Sequence, residues 1–195
     1  MSTARRRFAL AIGFGMLFAA LVATAADAWS LDALMSLIRA HPPGRAHFDE
    51  TKTVSILDRP LQSSGELVFT PPARLEKHVT SPGDERVIAD GKQLVIERGG
   101  KRRAIALADH PEIAVLIESI RATLAGDGAA LRRVYRVGLD GSADAWRLVL
   151  VPIDEAARKL VAKVTIEGSR ARVQRVEVEQ ADGDRSLMQI RPEKR

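Results

Sequence analysis

The sequence predicts a mainly β domain with two helices, in which about eleven antiparallel strands curl into a barrel or near-barrel. Three observations point there. Runs of period-two alternation fill most of the chain, turn residues at hairpin spacing separate them, and one long stretch at helical spacing interrupts them midway.

The first residues stand apart from that pattern. MSTARRRFALAIGFGMLFAALVATAADAWS carries three arginines, an apolar run from Phe8 to about Val22, and small residues at Ala23-Thr24-Ala25 and Ala26-Asp27-Ala28. Basic start, apolar middle and A-x-A site are the order of a secretory signal, with cleavage expected near Ala25 or Ala28. An uncleaved membrane anchor is the competing reading, but the run is short for a spanning helix. Residues 1–28 are therefore expected to be a signal peptide and 29–195 a single exported domain, large enough to bury a real core.

Composition narrows the chemistry. The absence of cysteine means that packing alone holds the fold in an oxidising compartment, and it removes thiolate chemistry. Cleavage after Ala28 removes Arg5, Arg6, Arg7 and Asp27, which leaves 27 basic and 24 acidic residues and lowers the formal net charge from +5 to +3. The remaining charges alternate in sign rather than forming a block, so no nucleic-acid partner is expected.

The elements follow in order. SLDALMSLIRAHPPG reads as a short helix: Ser30 caps it, Leu31, Leu34, Met35 and Ile38 share a face, and Pro42-Pro43-Gly44 ends it. Arg45 to Leu57 reads as a strand with Ala46, Phe48, Val54 and Ile56 on one side, interrupted by Glu50 and Lys52. Leu61 to Thr70 and Arg74 to Thr80 are the next two strands. ERVIADGKQLVIERGGKRRAIAL adds three more around hairpin turns at Asp90-Gly91 and Gly99-Gly100.

DHPEIAVLIESIRATLAGD is the helical interruption. Asp109 precedes Pro111 at the start, Gly126 marks the end, and Ile113, Leu116, Ile117, Ile120 and Leu124 form an apolar stripe. Strands resume at Leu131 to Val137, turn at Asp140-Gly141, and continue as Ala145 to Val151, Val161 to Glu167, Ala171 to Glu179 and Asp184 to Arg191. An amphipathic helix inserted into such a sheet must bury its stripe, and the mouth or interior of the curled sheet is the available place. The expectation is a half-barrel with a helical plug.

No catalytic residue, metal or cofactor is expected. His41, His47, His78 and His110 are scattered over a helix end, two strands and a helix start, with no spacing that requires them to converge. No G-x-S-x-G elbow is present, and Ser63-Ser64-Gly65 lies within a strand. Asp49 and Glu50 point to opposite faces of a strand and form no dyad by adjacency. Hydrophobic residues make up 46% of the chain and aromatics 4%, so any cavity is walled by Leu, Ile, Val and Ala. Such a wall suits flexible acyl chains, since each buried methylene is worth roughly 0.8 kcal/mol and a long chain on the order of 10 kcal/mol before entropy costs. The same stripe from Ile113 to Leu124 also fits a dry core.

Phe48 with Glu50-Thr51-Lys52, then SSGELVF, SPGDERVIADGKQL and VEVEQADGDRS, in that order across about Leu31 to Ile190, resemble the LolA-like periplasmic lipoprotein carriers, and HPEIAVLIESIRATLAGD resembles their divergent branch. The resemblance implies an unclosed eleven-stranded β-barrel with a helical lid over an apolar cavity. It also implies a carrier that takes the acyl chains of a lipoprotein from an inner-membrane ABC transporter and hands them to an outer-membrane acceptor, and the protein is expected to be a monomer. The family's arginine-proline pair, whose arginine holds the lid closed, is Pro71-Pro72 here, and Arg74 is the nearby candidate to replace it.

Leu67, Phe69, Val87, Leu94, Ile113, Leu116, Ile117, Ile120, Leu124, Trp146 and Leu148 are the lipid-binding residues expected on this reading, in a non-enzymatic periplasmic protein. The cargo is a lipoprotein or another lipid product. The rival reading is an envelope interaction protein with a dry core that docks a partner on its sheet edge. A lipid hydrolase is the weakest of the three.

Overall fold

The computed structural model describes residues 29–193, so the expected signal at 1–28 lies outside the described residues. Eleven strands form one antiparallel sheet: β1 (Arg45–Thr53), β2 (Leu61–Thr70), β3 (Arg74–Ser81), β4 (Glu85–Asp90), β5 (Gln93–Arg98), β6 (Lys101–Ala106), β7 (Tyr135–Ser142), β8 (Ala145–Pro152), β9 (Val161–Ser169), β10 (Arg172–Gln180) and β11 (Arg185–Pro192). The spatial order is β6-β5-β4-β3-β2-β1-β11-β10-β9-β8-β7. β6 and β7 are the two free edges, so the sheet curls without closing. The β1–β11 pairing, with Phe48 opposite Ile190, joins the first half of the chain to the last.

Four α-helices lie among the described residues, two more than the sequence predicts. In α1 (Leu31–Ala40) the Ser30 side chain accepts from the Ala33 N–H at 3.2 Å, and Leu31, Leu34, Met35 and Ile38 are buried as their spacing requires. α2 (Pro111–Ala125) follows a 3-10 turn over Leu107–Asp109, so His110 rather than Asp109 stands at its cap, and Gly126 ends it in the left-handed region at φ 68°.

The two further helices correct the expected boundaries. α3 (Gly128–Val134) takes the first four residues of the strand expected at Leu131 to Val137, because the Asp127 carboxylate accepts from the Ala130 N–H at 2.8 Å and starts a helix. The strand begins only at Tyr135, and it runs through Asp140-Gly141 to Ser142, placing the turn at Ala143-Asp144. α4 (Glu155–Arg158) is a single turn capped by Asp154, which accepts from the Ala157 N–H at 2.8 Å. β1 ends at Thr53 rather than Leu57. The chain turns there, and the Ser55 N–H donates to the Asp184 carboxylate at 2.8 Å.

The core is unevenly placed. α1 and α3 pack on the concave face of β7 to β10, where Leu34, Ile38, Leu131, Leu148, Leu150 and Val164 are fully buried. Trp146 is pinned in the same layer: its indole N–H donates to the Arg170 carbonyl at 2.8 Å, and its ring lies against Gly168. A smaller cluster of Ala89, Leu94 and Leu107 lies on the other half, with Leu75, Val87 and Ile96 around it. α2 spans from one cluster to the other, since Leu116 and Leu124 touch the first and Ile113 and Ile117 the second. No helix among the described residues is long and apolar enough to cross a membrane.

Candidate functional site

The burial of α2 is the reverse of an ordinary amphipathic helix. Its polar Ser119 and Thr123 are fully buried and Arg121 nearly so, whereas Ile113, Leu116, Ile117, Ile120 and Leu124 are only half-buried. Local bonds make this possible. The Ser119 hydroxyl donates to the Leu116 carbonyl and the Thr123 hydroxyl to the Ser119 carbonyl, both at 2.7 Å, so neither needs water. The Tyr135 hydroxyl donates to the Val115 carbonyl at 2.7 Å, and burial raises its pKa to about 12.

With its polar face held by protein, the helix presents its aliphatic stripe to a cavity of about 1460 Å³. That exceeds the few hundred to about 1,000 Å³ common for small-molecule pockets. Nine of the eleven residues named from the sequence line it: Leu67 and Phe69 on β2, Val87 on β4, Leu94 on β5, and Ile113, Leu116, Ile117, Ile120 and Leu124 on α2. Trp146 and Leu148 do not. They face inward as their alternation requires, but beneath α1 and α3, in the filled half of the sheet.

Sequence reasoning missed the far wall, Val176 and Val178 on β10 with Met188 and Ile190 on β11. A register shift between Val173 and Arg175 puts Val173 and Val176 on one side, three residues apart, and strict alternation through the strand breaks there. The lining also includes a polar patch. Glu50 and Lys52 continue the inward face of β1 after Ala46 and Phe48, so they are members of the pattern they were expected to interrupt.

Glu50 accepts from the Ser186 hydroxyl at 2.6 Å, from the Ser63 hydroxyl at 3.2 Å, and from the Lys77 ammonium. Burial raises its pKa, but the Lys77 charge and these three hydrogen bonds outweigh burial and hold it below the ordinary carboxylate value. Asp49 points to the opposite face, where it pairs with Arg191. No cluster of three or more metal-ligating side chains occurs among the described residues. Arg74 donates to Glu76 at 2.9 Å and to Asp90 at 2.5 Å, tying β3 to β4 rather than to α2.

A family model described as "Outer membrane lipoprotein carrier protein LolA-like" matches residues 23–190. No curated protein sequence matches significantly. Among solved structures, a LolA superfamily protein, NE2245, from Nitrosomonas europaea is similar at 11% identity and TM-score 0.46, over 85% of this chain and 93% of that one. LprF from Mycobacterium bovis aligns at 14% identity and TM-score 0.36, over 82% and 89%. The Pseudomonas aeruginosa MucA/MucB complex aligns at 15% identity and TM-score 0.41, over 82% of this chain and 53% of that one. With the family model covering most of the sequence, the chain belongs to the LolA-like outer membrane lipoprotein carrier family.

Proposed function

We propose that this protein is a periplasmic carrier that holds the acyl chains of a lipoprotein or another lipid under α2 and shields them between the two membranes of a Gram-negative envelope. In this reading residues 1–28 direct export and 29–195 are the carrier domain, working as a monomer. An inner-membrane ABC transporter delivers the cargo and an outer-membrane acceptor takes it.

One observation carries the reading: five aliphatic side chains of one helix stay half-buried toward a large apolar space while that helix's hydroxyls are fully buried. A helix selected only for a dry core would bury the aliphatic stripe and leave the hydroxyls to water. The gain for a guest is the burial of its methylenes, roughly 0.8 kcal/mol each. Nine sequence-named residues, Leu67, Phe69, Val87, Leu94, Ile113, Leu116, Ile117, Ile120 and Leu124, form the acyl-chain wall in this proposal.

The test is extraction and identification of lipids from protein isolated from the periplasm without detergent. Stoichiometric long-chain lipid is the expected result, and a lipid-free extract contradicts it.

A further inference from the structure

The cavity is not uniformly apolar: besides Arg45, Glu76, Arg170, Arg172 and Glu193, its lining holds a distinct polar group, Glu50, Lys52 and Lys77. Along β1 the inward residues run Ala46, Phe48, Glu50, Lys52. Ala46 lies opposite Leu67 and Pro192, whereas Glu50 lies opposite Ser63 and Met188, and Lys52 opposite Leu61 and Ser186. On β2 the inward face runs from Ser63 to Phe69, which at about 3.3 Å per residue separates the polar and apolar ends by about 20 Å. The apolar end continues through Leu75, Ala89 and Leu94, which cluster with Ile113 and Ile117 of α2.

At the polar end one carboxylate faces two ammonium groups. Glu50 is engaged by Lys77, Ser63 and Ser186, and the Lys77 ammonium also lies over the Phe48 ring at 4.9 Å from its centre. Lys52, two residues on and lining the same cavity, has no carboxylate within ion-pair distance among the described residues. A purely hydrocarbon guest filling the space would strip water from Lys52 and give it no partner. An anionic head would give it a charge-assisted hydrogen bond.

We propose that Lys52, beside the neutralised Glu50–Lys77 pair, is a headgroup anchor, and that the preferred cargo is an acyl amphiphile bearing a carboxylate or phosphate. The proposal rests on the acyl-chain reading of the cavity and specifies the chemistry at its polar end. Glu50 blocks a second anion from reaching Lys77, so the site takes one acidic group.

The test is a fluorescence titration of the exported domain with cis-parinaric acid and with its methyl ester, which keeps the chain and removes the charge. The acid binds about tenfold more tightly than the ester in the wild-type protein. Lys52→Met, or Lys52→Gln as the second variant, brings the acid down to the ester's affinity, with circular dichroism confirming the fold. Hexadecyl phosphate displaces the acid and inorganic phosphate does not, which separates a lipid head from a free anion. Equal affinity for acid and ester in the wild type overturns the anchor while leaving the acyl-chain site standing, as does a preference that survives loss of Lys52. Displacement by inorganic phosphate alone also overturns it. Binding of neither probe sinks the acyl-chain reading and the anchor together.

Discussion

Arg121 on α2 donates from Nη1 to the main-chain oxygen of Gly91 at 2.9 Å, tying the helix that roofs the cavity to the turn between β4 and β5. Its Nε and Nη2 are buried with no acceptor among the described residues. Burial draws the guanidinium below its ordinary value, opposed by the charges of Glu118 and Asp90. In this chain an arginine that ties the roof to the sheet belongs to the roof itself, Arg39 of α1 holds the far end of α2 at the Gly126 carbonyl, and Arg74 is committed to Glu76 and Asp90.

Arg121→Met removes the tie and a poorly solvated charge at once, so the two effects oppose each other and global stability changes by less than about 1 kcal/mol. Local opening of α2 becomes easier. Hydrogen exchange of the amides over 111–125 is expected to quicken while β7 to β10 keep their protection. Unchanged exchange across α2 contradicts the role given to Arg121.

Leu116 and Leu150 separate wall from core. Leu150 is fully buried in the filled half of the sheet, and Leu150→Ala should cost about 2–5 kcal/mol in chemical denaturation. Leu116 is half-buried at the cavity, so Leu116→Glu should cost about 1 kcal/mol or less and abolish uptake of a hydrophobic dye. Comparable losses of stability in the two variants would make Leu116 a core residue.

Gly168 is required by space. A Cβ there would lie 2.3 Å from the Arg172 carbonyl oxygen and 2.3 Å from the Trp146 ring. Gly168→Ala must push the indole off its bond to Arg170, with an expected loss of roughly 1–3 kcal/mol and a red-shifted tryptophan emission. Unaltered emission and stability would contradict the packing described for Trp146.

Glu50 gives the fold an acid limb. Its folded-state pKa lies below its ordinary value of 4.5, so the unfolded chain binds its proton more readily. The stability it contributes is complete above that unfolded value and is lost as pH falls through the lower folded one. Glu50→Gln should therefore flatten the decline in stability below about pH 4.5. A Gln variant whose acid limb matches the wild type would show that the pair with Lys77 contributes nothing.

The strands were the most legible part of the chain. Leu61–Thr70 carries its own turn residues at both ends and alternates without a break, and β2 has those bounds. Gly126 marked the end of α2 because only a left-handed residue fits there. The helix α3 was obscured because its cap, Asp127, stands directly after that terminator, and the few residues before Tyr135 are too few to show a helical period.

Alternation assigns a side chain to a face and leaves open what covers that face. Leu67 and Leu148 both point inward on good period-two strands, yet Leu67 looks into the cavity and Leu148 is sealed by α1 and α3. Only the tertiary placement of the helices distinguishes them. Lys52 is the opposite case, a charge that broke the hydrophobic pattern by composition while obeying it by position.

The most direct measurement is the mass of the mature protein under native, detergent-free ionisation, taken side by side with Leu116→Glu. Wild-type protein from the periplasm should carry adducts of long-chain lipid mass that the variant, folded alike, lacks. A wild-type spectrum holding only the bare polypeptide, in a protein that also excludes added acyl chains, would mean that the space beneath α2 carries no cargo.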